Sequence, residues 1–408
     1  MSMGYFCPPY NAMKFMTKKP LTGLMALLSV SFTWAQFGGL EGDSDYLEEL
    51  RTITTAVPII AVSPDARAGG MGDVGAASEP DINGVYWNVA KLSFMEQDQA
   101  LSMSYTPWMN ELVSDINLAH VNYGFRIDDR QGMAIAMRYF SLGEIVFKDE
   151  NNNNQGTGRP YEFTLNTGYS IKLSEQFSAG IGLRFIFSDL TNGLQAVGVE
   201  TTPGNTVAGD LGLYYESKED RLRSGQVQSY ALGLAISNLG GKVQYANSQT
   251  TADFLPANIR LGGAYKLQFD QYNRMEVIAE ANKLLVPTPP ERDAQGNIIA
   301  GKDDNVSSFA GAIQSFSDAP GGVSEELEEV ILNTGLEYWY DDRFAFRAGY
   351  QYEDPQKGGR EYITIGAGIR YNVFGLDFAY LFSASPIRRS PLENTLRFTL
   401  FFNFQNNS

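Results

Sequence analysis

The sequence predicts an all-β protein: a transmembrane antiparallel β-barrel of about 14 strands with an N-terminal plug segment in the lumen. Three observations carry that expectation. A secretory leader opens the chain, segments between 99 and 404 alternate between a greasy and a small or polar face, and the connections between them alternate in length.

The leader comes first. Lys14, Lys18 and Lys19 precede the apolar run Leu21–Val30, and Thr33-Trp34-Ala35 places small residues at −3 and −1. This is the pattern of a signal peptide over 1–35, cleaved before Gln36. The chain has 408 residues, 31 Lys+Arg and 47 Asp+Glu; the leader takes three of the lysines and no acid, so the exported part is still more acidic than the net −16 of the whole. No Lys/Arg-rich tract offsets that excess. Nucleic acid is therefore excluded as a partner, because its binding depends on cations that neutralise phosphates. The one cysteine, Cys7, leaves with the leader. Disulfide scaffolds, thiolate metal sites and cysteine nucleophiles are excluded together. Beyond the leader no stretch approaches about 18 apolar residues, so any crossing of a membrane must use strands.

Residues 36–98 differ in character from the rest of the exported chain, with Gly/Asp-rich Gly38–Tyr46, then Ser63–Asp73 and a mixed stretch ending in Tyr86–Leu92. A segment of this size ahead of a closed barrel belongs either in the periplasm or in the lumen. Small inward positions such as Gly180, Gly182, Gly233, Gly262, Gly366 and Gly368 leave room for backbone and favour the lumen.

The barrel occupies 99–408. Alternation places strands near 99–107, 115–125, 132–141, 161–171, 177–188, 207–216, 228–237, 258–267, 273–281, 329–340, 343–353, 362–371, 374–383 and 394–404. The last is the clearest: Leu396, Phe398, Leu400, Phe402 and Phe404 share one face, and Thr395, Arg397, Thr399 and Asn403 the other. Most segments have the length of about 9–11 residues that a tilted strand needs to cross a bilayer core. After even-numbered segments come short turns such as Asp341-Asp342 and Asn372-Val373; after odd ones come long pieces, Leu142–Pro160, Asp189–Thr206, Asn238–Ala257 and Asn282–Glu328. Short turns at one end and long loops at the other are the habit of outer-membrane barrels. The 217–227 turn is longer than this rule expects and the 108–114 loop shorter. A soluble sandwich or propeller would also show period-2 segments, but has no reason to alternate its loop lengths or to carry so aromatic a face.

Candidate chemistry is sparse. His120, the only histidine, reads as a lone polar residue on the wall or in the lumen rather than the centre of a triad or metal site. Gly69-Gly70-Met71-Gly72-Asp73 is not preceded by the strand, nor succeeded by the helix, that a phosphate loop requires, so it reads as a tight plug turn. Arg138, Arg184, Arg260, Arg343, Arg347, Arg370 and Arg397 occupy inward positions, while the plug carries Asp65, Asp73, Glu79 and Asp81. Two readings stay open: these cations pin the plug through charge-assisted hydrogen bonds, or they solvate a watery interior. The Asn282–Glu328 loop holds Pro287, Pro289, Pro290 and Pro320, with Asp303 and Asp304 among eight acids against three bases. A loop of that length is either functional or disordered. No residue set points to a catalytic site, a metal or a cofactor.

Val57-Pro58, Ser63-Pro64-Asp65-Ala66-Arg67-Ala68-Gly69-Gly70-Met71-Gly72-Asp73, Ala76-Ala77-Ser78 and Trp87-Asn88-Val89-Ala90-Lys91-Leu92 resemble the N-terminal motif of the PorV (LptO) family, outer-membrane proteins of the type IX secretion system of Bacteroidota. The architecture also resembles the wider FadL-like group, although Val89 stands where that group's hatch has proline. The resemblance assigns plug roles to Pro64, Asp65, Arg67, Gly69, Gly70, Gly72, Asp73, Trp87 and Asn88. It implies a non-enzymatic outer-membrane protein that receives cargo with C-terminal sorting domains from the translocon barrel. It further implies a hand-over to a cell-surface attachment complex containing a PorU-type sortase. A blocked lumen would leave the work to the external loops, Asn282–Glu328 and Asp189–Thr206 above all. The alternatives are a FadL-like channel for fatty acids or other hydrophobic compounds and, with one histidine and no nucleophile constellation against it, lipopolysaccharide deacylation.

Overall fold

The computed structural model describes residues 51–108, 115–148, 154–190, 202–245, 252–384 and 393–404. The expected leader, residues 36–50 and the middle of the 189–206 loop lie outside the described residues.

Fourteen strands form one closed antiparallel barrel: β1 Gln99–Pro107, β2 Ile116–Arg126, β3 Gln131–Leu142, β4 Tyr161–Lys172, β5 Phe177–Asp189, β6 Gly204–Glu216, β7 Val227–Gly240, β8 Asn258–Gln268, β9 Asn273–Leu284, β10 Val330–Tyr340, β11 Phe344–Tyr352, β12 Glu361–Tyr371, β13 Phe374–Ser383 and β14 Leu396–Phe404. Each pairs with its neighbours in sequence, and β14 closes on β1 with Leu101 opposite Phe402 and Tyr105 opposite Phe398. Every predicted segment is a strand, with ends shifted by a few residues. Closure leaves the barrel without unpaired edges, the condition for backbone to sit in hydrocarbon. Among the described residues no helix is long and apolar enough to cross a membrane.

Parity sorts the side chains. Ile181, Leu183, Leu211, Leu232, Leu261 and Phe346 stand exposed on the outside, whereas Ser104, Asn166, Arg184, Glu280, Glu337 and Thr364 are buried inside. The wall is thus inverted relative to a soluble barrel, greasy outward and polar inward.

The two ends differ as expected. One carries tight turns: Asp341, Asp342 and Asn372 adopt positive φ, which suits hairpin loops of matching twist. The 217–226 turn is longer because Asp220-Arg221 adds a short strand to β7. The other end carries the long connections. The 143–160 loop contains a hairpin of Ile145–Lys148 with Asn154–Gly158. One expectation fails here. Arg343 precedes β11 in the turn, where it faces water and pairs with Asp341 at 3.5 Å, so it is not an inward residue.

Candidate functional site

Two segments outside the fourteen strands stand out. The first is the N-terminal segment within the barrel. Its described part begins at the long-loop end, where the Arg51 N–H donates to Gln356 O (3.2 Å), and finishes at the short-turn end, where Arg126 N–H donates to Asp98 O (2.8 Å). Between them lie short helical turns at Pro58–Ala61, Ala66–Gly69, Gly84–Trp87 and Val89–Phe94.

Local chemistry builds these turns. Asp65 caps Ala66–Gly69, its Oδ1 accepting from Ala68 N (2.9 Å), while Oδ2 accepts from Trp87 Nε1 (2.8 Å) and ties two turns together. Asn88 caps Val89–Phe94 and donates its amide to Ala76 O (2.9 Å) and to Leu213 O on β6 (3.0 Å). Pro64 is buried beside them. The Gly69–Asp73 run lies flat on the wall. Gly72 has φ 72°, and a Cβ there would come within 2.7 Å of Tyr350 N; one at Gly70 would sit 3.1 Å from Gly366 Cα. A Cβ at Gly180 would come within 2.6 Å of Ala90 N. Backbone therefore touches backbone where small inward residues were noted, and the glycine run serves packing, not phosphate.

Charge fastens the inner part. Arg67 grips Glu337 of β10 with both arms, Nε–Oε1 2.9 Å and Nη2–Oε2 2.7 Å, and reaches Asp81 (2.9 Å) and Glu79 (3.2 Å). Glu337 lies directly across from Arg347, which also bonds Asp377 (3.0 Å). Asp73 receives Arg397 (2.6 Å) and the Tyr362 hydroxyl (2.7 Å). Glu280 accepts from Gly75 N (2.9 Å) and Ala76 N (2.8 Å) while paired with Arg260 (3.0 Å). A bidentate Arg–carboxylate pair with its remaining groups satisfied is among the strongest contacts available in a poorly solvated space.

The lumen arginines thus divide. Arg397 and Arg138 bond the plug itself, the latter donating to Ile59 O (2.8 Å) and Val62 O (3.1 Å). Arg260 and Arg347 act through wall carboxylates that in turn hold plug groups. Arg184 pairs with Asp210 (3.0 Å) and Asn166 (2.9 Å), and Arg370 with Asp377 (2.7 Å). The sequence reading counted inward cations and overlooked inward acids: Asp210, Glu276, Glu280, Glu337 and Asp377 have the same inward parity, and that parity was the available signal. His120 is buried on β2, across from Ser104 and Arg138.

Toward the long-loop end the plug turns apolar. Val57, Ile59 and Ile60 pack with Trp108, Leu118, Ile186, Tyr362 and Leu381. At the short-turn end two clefts of about 790 and 380 Å³ share a lining rich in charge, including Glu79, Glu96, Glu216, Lys266 and Arg274.

The second segment is the flap, 285–329, in the long connection after β9. It contains a small hairpin, Glu291-Arg292 with Ile298–Ala300, and the helices α1 Ser308–Gln314 and α2 Val323–Glu328. Pro287 is buried at its base, Pro289 is exposed, and Pro290 and Pro320 are half-buried. Asp304 pairs with Arg292 at 2.9 Å, and Asp303 lies 3.9 Å from it.

The flap reaches the outer wall. Ala312 of α1 joins Leu285 and Ala257 against Ile236, Leu239 and Ile259. Ile236 and Ile259 are cross-strand partners with outward parity, so α1 overhangs the outer wall. Lys283, also of outward parity, is covered by Glu326 (3.0 Å) and Glu329 (2.5 Å). The other face of α1 and its continuation, Phe309, Ile313 and Phe316, is exposed by 66, 62 and 54%, and Val323 and Leu327 of α2 by 78 and 69%. Burial, aided by the Glu326 carboxylate, pushes Asp318 up to about 6, whereas Lys357 outweighs burial and holds Glu325 below the usual carboxylate range.

The profile of the type IX secretion system protein PorV matches residues 45–291, more than half of the chain. No curated protein matches in sequence. Among solved structures the chain is similar to the CymD monoaromatic hydrocarbon channel, at 13% identity over 85% of this chain and 99% of that one, TM-score 0.48. It is also similar to a Pseudomonas aeruginosa FadL homologue, at 12% over 87% and 100%, TM-score 0.41. The Pseudomonas putida toluene transporter TodX gives 12% over 82% and 95%, TM-score 0.44.

Proposed function

The chain belongs to the PorV family of the type IX secretion system, and on that premise we propose that this outer-membrane barrel receives exported cargo on its external flap and passes it to the attachment machinery. Cargo with a C-terminal sorting domain, the translocon barrel and a PorU-type sortase are the partners this reading requires. One observation carries it: the apolar face formed by Phe309, Ile313, Phe316, Val323 and Leu327 is left open on a flap that is otherwise ordered by buried ion pairs. Exposed apolar patches of this kind mark interaction sites. The role needs no chemistry from the protein, only a surface that holds a partner beside the wall.

The rival reading, a channel for hydrophobic compounds, requires an open apolar path. The apolar end of the lumen is occupied by the chain's own Ile59 and Ile60, and the clefts at the opposite end are lined by charge. That favours a stoppered barrel.

The test is deletion of residues 290–322, alongside the triple variant Phe309→Ser, Ile313→Ser, Phe316→Ser. Both proteins should keep heat-modifiable gel migration, since the barrel wall does not depend on these exposed side chains. Both should lose co-purification with translocon and cargo. Normal attachment of cargo at the surface in either strain overturns the assignment.

A further inference from the structure

Arg51 opens the described part of the plug, yet its side chain serves the flap. Its Nη1 donates to Glu325 Oε2 of α2 at 3.0 Å, and its Nη2 pairs with Glu291 of the small hairpin. Glu325 also receives Lys357 from the β11–β12 connection (2.5 Å), and Lys357 reaches Glu329 (2.9 Å). Lys283 completes the cluster through Glu326 and Glu329. Four carboxylates therefore face three cations, with Lys357, Glu325 and Glu329 all under a tenth exposed. A second tie runs beside the first. Ala56 N–H donates to Phe254 O (2.8 Å), and the Phe254 ring lies against Gly311 of α1, 2.9 Å from where a Cβ would stand.

We propose that the leading end of the plug, residues 51–57, is a latch for the flap, coupling the seat of that end alone to the position of α1 and α2 through the Arg51–Glu291–Glu325 contacts. Without Arg51, Glu291 loses its cation, and Glu325, Glu326 and Glu329, at most a tenth exposed, share Lys283 and Lys357. Such carboxylates recover hydration by leaving, and the flap lifts from the rim. The coupling is reciprocal, as linkage demands: a ligand that draws the flap away frees Arg51, and residues 51–57 then loosen over Ile59 and Ile60. The use of such a latch in handing over cargo rests on the functional reading above, whereas the coupling itself does not.

Hydrogen exchange on the full chain in detergent micelles reads it. Arg51→Glu should accelerate exchange across 291–328 about tenfold or more and leave 71–92 unchanged, and Arg51→Lys should restore protection. The pair Glu291→Gln with Glu325→Gln should accelerate exchange at 51–57, at the opposite side of the contact. Unchanged flap protection in Arg51→Glu, or unchanged exchange at 51–57 in the glutamine pair, overturns the latch. If Arg51→Glu does not fold by heat-modifiable migration, the glutamine pair decides alone. Partner capture that survives deletion of 290–322 refutes the functional reading and leaves the latch standing; absent coupling with partner capture dependent on the flap refutes only the latch.

Discussion

Residues 63–94 and residues 285–329 both depart from the barrel, yet one is enclosed by the wall on every side and the other hangs over its rim. Both use ion pairs. In the plug, Arg67 meets a Glu337 that is itself paired with Arg347, Asp73 takes Arg397 and the Tyr362 hydroxyl, and small residues such as Gly70 and Gly180 let backbone reach backbone. In the flap the ion pairs hold one face down while the apolar face stays open. The difference teaches that charge here does two jobs: it fastens a segment inside the wall, and it orders a surface so that something else can bind.

The sharpest way to break that contrast is Arg67→Met. It takes the cation from Asp81 and leaves Glu337 to Arg347 and Glu79 to Arg274 alone, and loss of one member of a buried ionic network costs about 3–5 kcal/mol. The plug should become sensitive to protease and the temperature of the gel-migration shift should fall, while the flap's exchange stays as it was. A plug as resistant as wild type would mean that packing, not charge, holds it. Gly180→Ala comes next. Its Cβ presses on the Ala90 backbone, and overpacking of this sort costs about 1–3 kcal/mol. The expected readout is ion conductance through a barrel that is otherwise silent in planar bilayers; silence would show that the Val89–Phe94 turn can shift aside.

The smallest effect sharpens the flap side. Asp318 has its folded-state value raised to about 6 from 3.8, so the ordered flap binds this proton more tightly than the unfolded chain does. Flap protection should therefore rise by a factor of a few as pH falls from 7 to 5, after correction for intrinsic exchange. Glu325 has the opposite sign: its contribution is complete above 4.5 and is lost as pH falls through its depressed value. Below that point the gain should reverse. Asp318→Asn should flatten the slope between 7 and 5, and a slope that persists in this variant would assign the effect elsewhere.

Much of this molecule was legible in the chain. Leu396, Phe398 and Leu400 against Arg397 and Thr399 declare a wall with two unlike faces, and the strand positions come from such runs. Asp65 and Asn88 could be placed in the N-terminal motif, but that they cap the turns on which they stand was decided by the fold. The α1 helix was hidden. Phe309, Ile313 and Phe316 fall at helical spacing behind Ser307, whose hydroxyl caps the helix, but the surrounding Pro, Gly and Asp read as a long loop, functional or disordered, with no helix in it. Glu337 was hidden differently: Arg67 lies 270 residues away in sequence, and no local pattern encodes that meeting.

By itself, then, the sequence determined the barrel, because period-2 alternation is a local property and a strand with one greasy face has few places to put it. Which carboxylate receives Arg67, that Arg343 points to water, and that the long loop leans on the outer wall were decided by the tertiary structure alone. Those contacts depend on closure of the ring, which sets the height and angle at which distant residues come together.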